Sequence, residues 1–113
     1  MASDESFVTY VCDQMAGAGH ISSRKMFGEY AIYCGVKVVA LVCGNQLFIK
    51  PTPAGKTAIR HPVERVPYPG AKPHYLVTDR LDDKDWLALV VAATAHDLPE
   101  PKPKKLKAAR KSK

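Results

Sequence analysis

The apolar positions of this chain change period twice. Between Asp4 and Ala16 they fall at helical spacing: Phe7, Val11 and Met15 stand four apart, with Val8 and Cys12 beside them, so one stripe of a helix is apolar. Ser3 is placed to cap this helix, Asp4-Glu5 suit the positive end of its dipole, and Gly17 and Gly19 end it. From Arg24 to Pro51 the helical period gives way to three runs rich in Val, Ile, Tyr and Phe, parted by Gly35 and by Gly44-Asn45. That is the composition of two consecutive β-hairpins. A two-residue turn at Gly35-Val36 pairs Cys34 with Lys37, Ile32 with Val39 and Tyr30 with Leu41. A turn at Gly44-Asn45 sets Cys43 against Gln46 and Leu41 against Phe48. Alternation then sorts Tyr30, Ile32, Val39, Leu41 and Phe48 onto one face, and Phe27, Ala31, Tyr33, Val38, Ala40, Val42, Leu47 and Ile49 onto the other. The second face is smoother and more aliphatic, so the helices are expected there.

Around this meander the local signals are punctuation. His20 to Ser23 reads as a link, and Arg24 to Glu29 opens the first strand, where Gly28 marks a bulge or a close backbone approach. Pro51 and Pro53 stop the third strand, and Thr52 caps a short helix over 53–60 with Pro53 at its first position. Gly55-Lys56-Thr57 is no phosphate loop, because Lys50 stands where the first glycine of such a loop belongs. Residues 61–73 form a proline-rich irregular connection in which Pro69-Gly70 suits a type II turn. His74 to Thr78 alternates as a further strand. Asp82 or Asp83 caps a last helix with Trp86, Leu89, Val90 and Ala93 on one face, flanked by Leu87 and Val91, and Trp86 as a core anchor. The fold class is therefore α+β and two-layer. An antiparallel β-meander carries the N-terminal and C-terminal helices on one face, with a short helix after the third strand.

Charge changes the picture more than composition does. The chain has 113 residues and a net charge of +6, yet residues 1–98 hold ten Lys/Arg against ten Asp/Glu. The whole excess lies in residues 99–113, where Lys102, Lys104, Lys105, Lys107, Arg110, Lys111 and Lys113 face Glu100 alone. The division expected is a neutral α+β domain over 1–98 and a disordered Pro/Lys-rich tail over 99–113, too poor in apolar surface to order itself. Such a tail either solubilises or neutralises nucleic-acid phosphates without reading sequence. No run of about 18 apolar residues occurs, which argues against a membrane span. The opening MASDESF lacks the basic-then-apolar character of a secretory signal, so a cytoplasmic location is expected.

Catalytic chemistry finds little to stand on. Cys12, Cys34 and Cys43 are odd in number, form no CxxC and fall within apolar runs, so they are read as buried thiols rather than a disulfide or a metal set. His20, His61, His74 and His96 are scattered. The carboxylates Asp4, Glu5, Asp82, Asp83 and Asp85 sit at helix starts, where capping accounts for them. No nucleophile-elbow, zinc-protease, dinucleotide or Walker pattern is present. The reading is of a protein without enzyme activity, cofactor or metal.

Taken in order, Arg24-Lys25-Met26-Phe27-Gly28, Tyr30-Ala31-Ile32-Tyr33, Val39-Ala40-Leu41-Val42, Leu47-Phe48-Ile49-Lys50 and Pro67-Tyr68-Pro69-Gly70 with Tyr75 resemble the TfoX N-terminal-domain family (TfoX/Sxy) over about Phe7 to Asp97. Glu29 stands where that family often has a second glycine. The resemblance implies a two-layer helix–meander–helix–strand–helix fold and a regulatory or adaptor role without catalysis. Full-length members regulate competence genes in bacteria with the cyclic-AMP receptor protein and carry a helical C-terminal domain. Here a lysine-rich tail is expected in its place, and competence control does not carry over. The function expected is a transcription-associated module: the domain contacts a protein partner of the transcription machinery, and the tail cations add non-specific DNA affinity. Arg24, Lys25, Lys50 and Lys72 form a weaker folded-surface set. The alternative is a protein-interaction module without nucleic acid, an adaptor or a homodimer formed through the Tyr30/Ile32/Val39/Leu41/Phe48 face.

Overall fold

A computed structural model describes residues 3–26 and 29–99. Helix α1 (Glu5–Met15) runs through a 3₁₀ turn (Ala16–Ala18) into strands β1 (Ile21–Met26), β2 (Glu29–Cys34), β3 (Lys37–Cys43) and β4 (Gln46–Ile49). Helix α2 (Pro53–Ile59), strands β5 (Val63–Arg65) and β6 (His74–Val77) and helix α3 (Lys84–Asp97) follow. The six strands make one antiparallel sheet in the order β1-β2-β3-β4-β6-β5. The α+β class, the helices at both ends of the domain and the short helix after the meander are as expected.

Two turns fix the middle of the sheet. At Gly35-Val36 only the first residue has positive φ, +63°, as a type II′ turn demands, and Cys34 pairs with Lys37. At Gly44-Asn45 both residues are left-handed, +58° and +59°, the type I′ geometry, and Cys43 pairs with Gln46 and Leu41 with Phe48.

Between β2 and β3 the expected pairing holds only near the turn. Tyr33 faces Val38, but the register then shifts between Ile32 and Tyr33, so Ile32 pairs with Ala40, Ala31 with Leu41 and Tyr30 with Val42. One extra residue on β3, Val39, opens a bulge, and past it every side chain of β2 changes face relative to the uninterrupted register. The helix-covered face consequently carries Ile32, Val39, Ala40, Val42, Leu47 and Ile49, all fully buried, with Tyr30 at its margin. Ala31, Leu41 and Phe48 belong to the outer face. This corrects the expected sorting and removes the proposed homodimer patch: Ile32 and Val39 lie under the helices, and Phe48 is only 3% exposed.

Each helix is seated by a specific polar contact. Thr52 Oγ1 accepts from the Gly55 amide at 3.0 Å and Pro53 takes the first turn of α2. Asp83 caps α3, accepting from the Trp86 amide at 3.1 Å. Ser3 does not cap α1: its hydroxyl is engaged elsewhere, and Asp4 at the cap position accepts no side-chain bond from its own helix, its Oδ2 accepting instead from Asn45 Nδ2 at 3.3 Å. Val8, Val11 and Met15 of α1 and Leu87, Val90 and Val91 of α3 close the core. The buried stripe of α3 is rotated from the expected one. Leu89 is 59% exposed, whereas Thr94 is fully buried with its hydroxyl donating to the Val90 carbonyl at 2.8 Å. Trp86 packs half-buried at the core margin, its ring centroid 4.3 Å from the Arg80 guanidinium.

Three further expectations need correction. The strand read as beginning at Arg24 is two strands, and Ile21–Met26 is a polar, exposed edge strand antiparallel to β2. The irregular connection 61–73 contains β5, which forms the opposite edge. The cysteines are free as expected, but only Cys43 is buried; Cys12 and Cys34 are partly exposed.

Candidate functional site

Among the described residues no helix lies on the outer face of the sheet, yet it is not bare. The proline-rich connection after β5 returns along it through the expected turn: Gly70 has φ +88° and the Ala71 amide donates to the Tyr68 carbonyl at 3.1 Å. His74 anchors the far end, its Nδ1 2.8 Å from the Lys72 carbonyl oxygen. Tyr68 is thereby brought beside the sheet, where it bounds a cavity of about 410 Å³ with Met26, Glu29, Tyr30, Leu41 and Cys43. That volume lies in the range of small-molecule sites.

Glu29 is the charged residue among the described lining residues, and its position is fixed. Oε1 accepts from the Ser3 amide at 3.0 Å and the Ser3 hydroxyl at 2.6 Å, and Oε2 accepts from the Gly44 amide at 3.0 Å. The Asn45 amide donates to the Ser3 hydroxyl at 3.0 Å, and Asn45 Oδ1 accepts from the Asp4 amide at 2.7 Å. The start of α1, the β3–β4 turn and the first residue of β2 are thus tied into one polar knot. Burial pushes the Cys43 thiol above its ordinary pKa, and the Glu29 charge pushes in the same direction.

The basic residues singled out in the sequence lie elsewhere. Arg24 and Lys25 are exposed on edge strand β1 and Lys72 is exposed in the proline-rich connection. Arg24 lines a cleft with Ser22, Ser23, Tyr33, Gly35 and Val36. Lys50 lines another with Val36, Lys37, Val38, Leu98 and Pro99. Val36 is common to both, so Arg24 and Lys50 flank the tip of the β2–β3 hairpin from two sides. Lys25 and Lys72 line neither cleft. Lys37 is committed to the fold, its Nζ donating to the Ala95 carbonyl at 2.8 Å near the end of α3. The tail cations Lys102, Lys104, Lys105, Lys107, Arg110, Lys111 and Lys113 lie outside the described residues, and Pro99, next to them in sequence, sits in the Lys50 cleft.

Among the described residues no group of three or more His, Cys, Asp or Glu could hold a metal ion, and no helix is long and apolar enough to cross a membrane. The cavity escaped sequence reasoning because its walls come from β1, β2, β3 and a loop. The one sequence signal was Glu29 itself, a carboxylate beginning an otherwise apolar strand and remote from any helix start.

Residues 13–97 match the family model described as the TfoX N-terminal domain. Over 107 residues the chain is 38% identical to an uncharacterised 12.7 kDa protein from the trpE 5′ region of Spirochaeta aurantia, which covers 95% of this chain and 93% of that protein.

Proposed function

Because the chain belongs to the TfoX N-terminal domain family, we propose that it is a non-enzymatic regulatory or adaptor domain associated with transcription. In this reading the folded body contacts a protein of the transcription machinery, and residues 99–113 hold DNA without regard to sequence. The observation that carries it is the segregation of charge: a body of zero net charge and a tail holding the entire +6. Backbone phosphates respond to such a run through counterion release, which gives affinity without base recognition. The placement of Pro99 beside Lys50, with Arg24 across the hairpin tip, supports a basic rim near the last described residue.

The test is duplex-DNA affinity against salt for the full chain, for a variant with the seven tail cations changed to Gln, and for Arg24→Gln/Lys50→Gln. Every phosphate left without its cation should lower the log–log slope by about 0.9. The tail variant is expected to lose most of the slope and the rim variant a smaller part. An unchanged affinity and slope in the tail variant removes the tail from the mechanism, and no measurable affinity in the full chain leaves the protein-interaction reading. Affinity capture from native lysate with and without nuclease then separates direct protein partners from DNA-bridged ones.

A further inference from the structure

We propose that the outer-face cavity bounded by Glu29, Leu41 and Tyr68 binds a small organic cation, an ammonium group carried on an apolar body. A carboxylate offers about four acceptor positions. Three of those on Glu29 are taken, two on Oε1 by Ser3 and one on Oε2 by the Gly44 amide. One position on Oε2 is left. None of the three donors is a cation, and among the described residues no Lys, Arg or His forms a salt bridge with Glu29. The side chain is partly buried and held by three neutral donors, and among the described residues no cation pairs with it.

Its surroundings are apolar. Met26 and Leu41 line the same space, and Cys43 beside them is only 8% exposed. Burial raises its thiol first and the Glu29 charge raises it further, so the negative potential is felt at the cavity wall. A fixed carboxylate with no cation beside it among the described residues, set against an apolar wall, favours a ligand that matches both. An ammonium gains at Oε2 while its hydrocarbon body displaces water from Leu41 and Met26, and the exposed Tyr68 adds an aromatic boundary of the kind that favours cations. An anion of the same shape meets repulsion, and a neutral analogue keeps only the apolar part. Its lining residues are other than those around Arg24, Lys50 and the hairpin tip, so it stands whether or not the chain binds DNA.

The experiment is a ¹H–¹⁵N titration of the full chain with hexylammonium, hexan-1-ol and hexanoate, three probes with one hydrocarbon body and different charge, at constant ionic strength. Hexylammonium is expected to shift the amides of Glu29, Leu41, Cys43, Gly44 and Tyr68 and to bind at least about tenfold more tightly than hexanoate, with hexanol between. Glu29→Gln should bring the three affinities together while hexanol binding persists. Leu41→Trp, which fills the space from the outer face, should abolish all three. Equal affinities in the parent, shifts confined to another surface, no binding by any probe, or an unchanged order in Glu29→Gln each overturns the proposal. Should Glu29→Gln fail to fold, the order of the three probes on the parent and their loss in Leu41→Trp still decide it.

Discussion

A Cβ placed on Gly55 would stand 2.7 Å from the Thr94 hydroxyl oxygen and 2.8 Å from that of Thr52. Helix α2 therefore meets α3 at a point where only hydrogen fits, and Asp97 secures the crossing by accepting from the Ala54 amide at 2.7 Å. Alanine in an exposed helix would gain about 1 kcal/mol over glycine. Here Gly55→Ala is expected to destabilise by about 1–3 kcal/mol, the usual cost of overpacking. Adding Thr94→Ala should return part of that loss, because it removes one of the two clashing oxygens. A double-mutant cycle from denaturant melts checks the coupling, and additive losses would place the strain elsewhere.

Asn45 serves the β3–β4 turn and the start of α1 together. Its φ of +59° disfavours any residue with an ordinary side chain by about 1–2 kcal/mol, and its Oδ1 holds the Asp4 amide. Asn45→Gly should keep the turn and lose the tether, costing about 0.5–1.5 kcal/mol. Asn45→Ala should cost more, since it loses both. If the two variants melt together, the backbone conformation contributes nothing and the tether everything.

Asp83 gives the chain an acid-sensitive helix start. The Trp86 amide, and after it the Arg80 guanidinium, hold its carboxyl below the ordinary 3.8. A lowered carboxyl pKa in the folded state means that the contribution is present above the unfolded value and lost as pH falls through the folded one. Stability should therefore decline on acidification below about pH 4, and Asp83→Asn, which still caps without ionising, should flatten that part of the profile. Parallel pH titrations of the midpoint in the two proteins measure it.

Burial raises the thiols of Cys12 and Cys43 above the ordinary 9.0, in Cys12 against a lowering hydrogen bond from Ser23. Both should alkylate slowly at about pH 7.5, Cys43 slowest because it is also 8% exposed. Peptide mapping after iodoacetamide treatment, native and in denaturant, gives the ratio. Rapid native labelling of Cys43 would mean that the polar knot around Ser3, Glu29 and Asn45 opens readily.

How far the sequence spoke depended on whether a residue's neighbours were local. The turns at Gly35-Val36, Gly44-Asn45 and Pro69-Gly70, and the caps at Thr52 and Asp83, are decided within four residues and were readable. The bulge was not: Val38-Val39-Ala40-Leu41-Val42 is apolar throughout, so nothing in its alternation marks the extra residue. Edge strand Ile21–Met26 is held by its ladder to β2 and buries little, so it shows no apolar period. Thr94 reads as polar and Leu89 as core, but the hydroxyl is satisfied by its own helix, and that frees the position for burial. The Glu29 cavity needed Tyr68 to arrive from 39 positions later in the chain.

The added residue at Val39 also shapes how this sequence can drift. On the turn side of it, odd and even positions of β3 obey one assignment of inside and outside; beyond it they obey the opposite one. Deleting Val39 itself would close the bulge and leave Ala40 and Val42 inward and Leu41 outward, whereas smoothing the bulge with every residue kept would turn Ala40 and Val42 outward and Leu41 inward. Related chains without the extra residue can therefore keep the same small and large side chains on either side of it, so this strand can change length here without changing its identities.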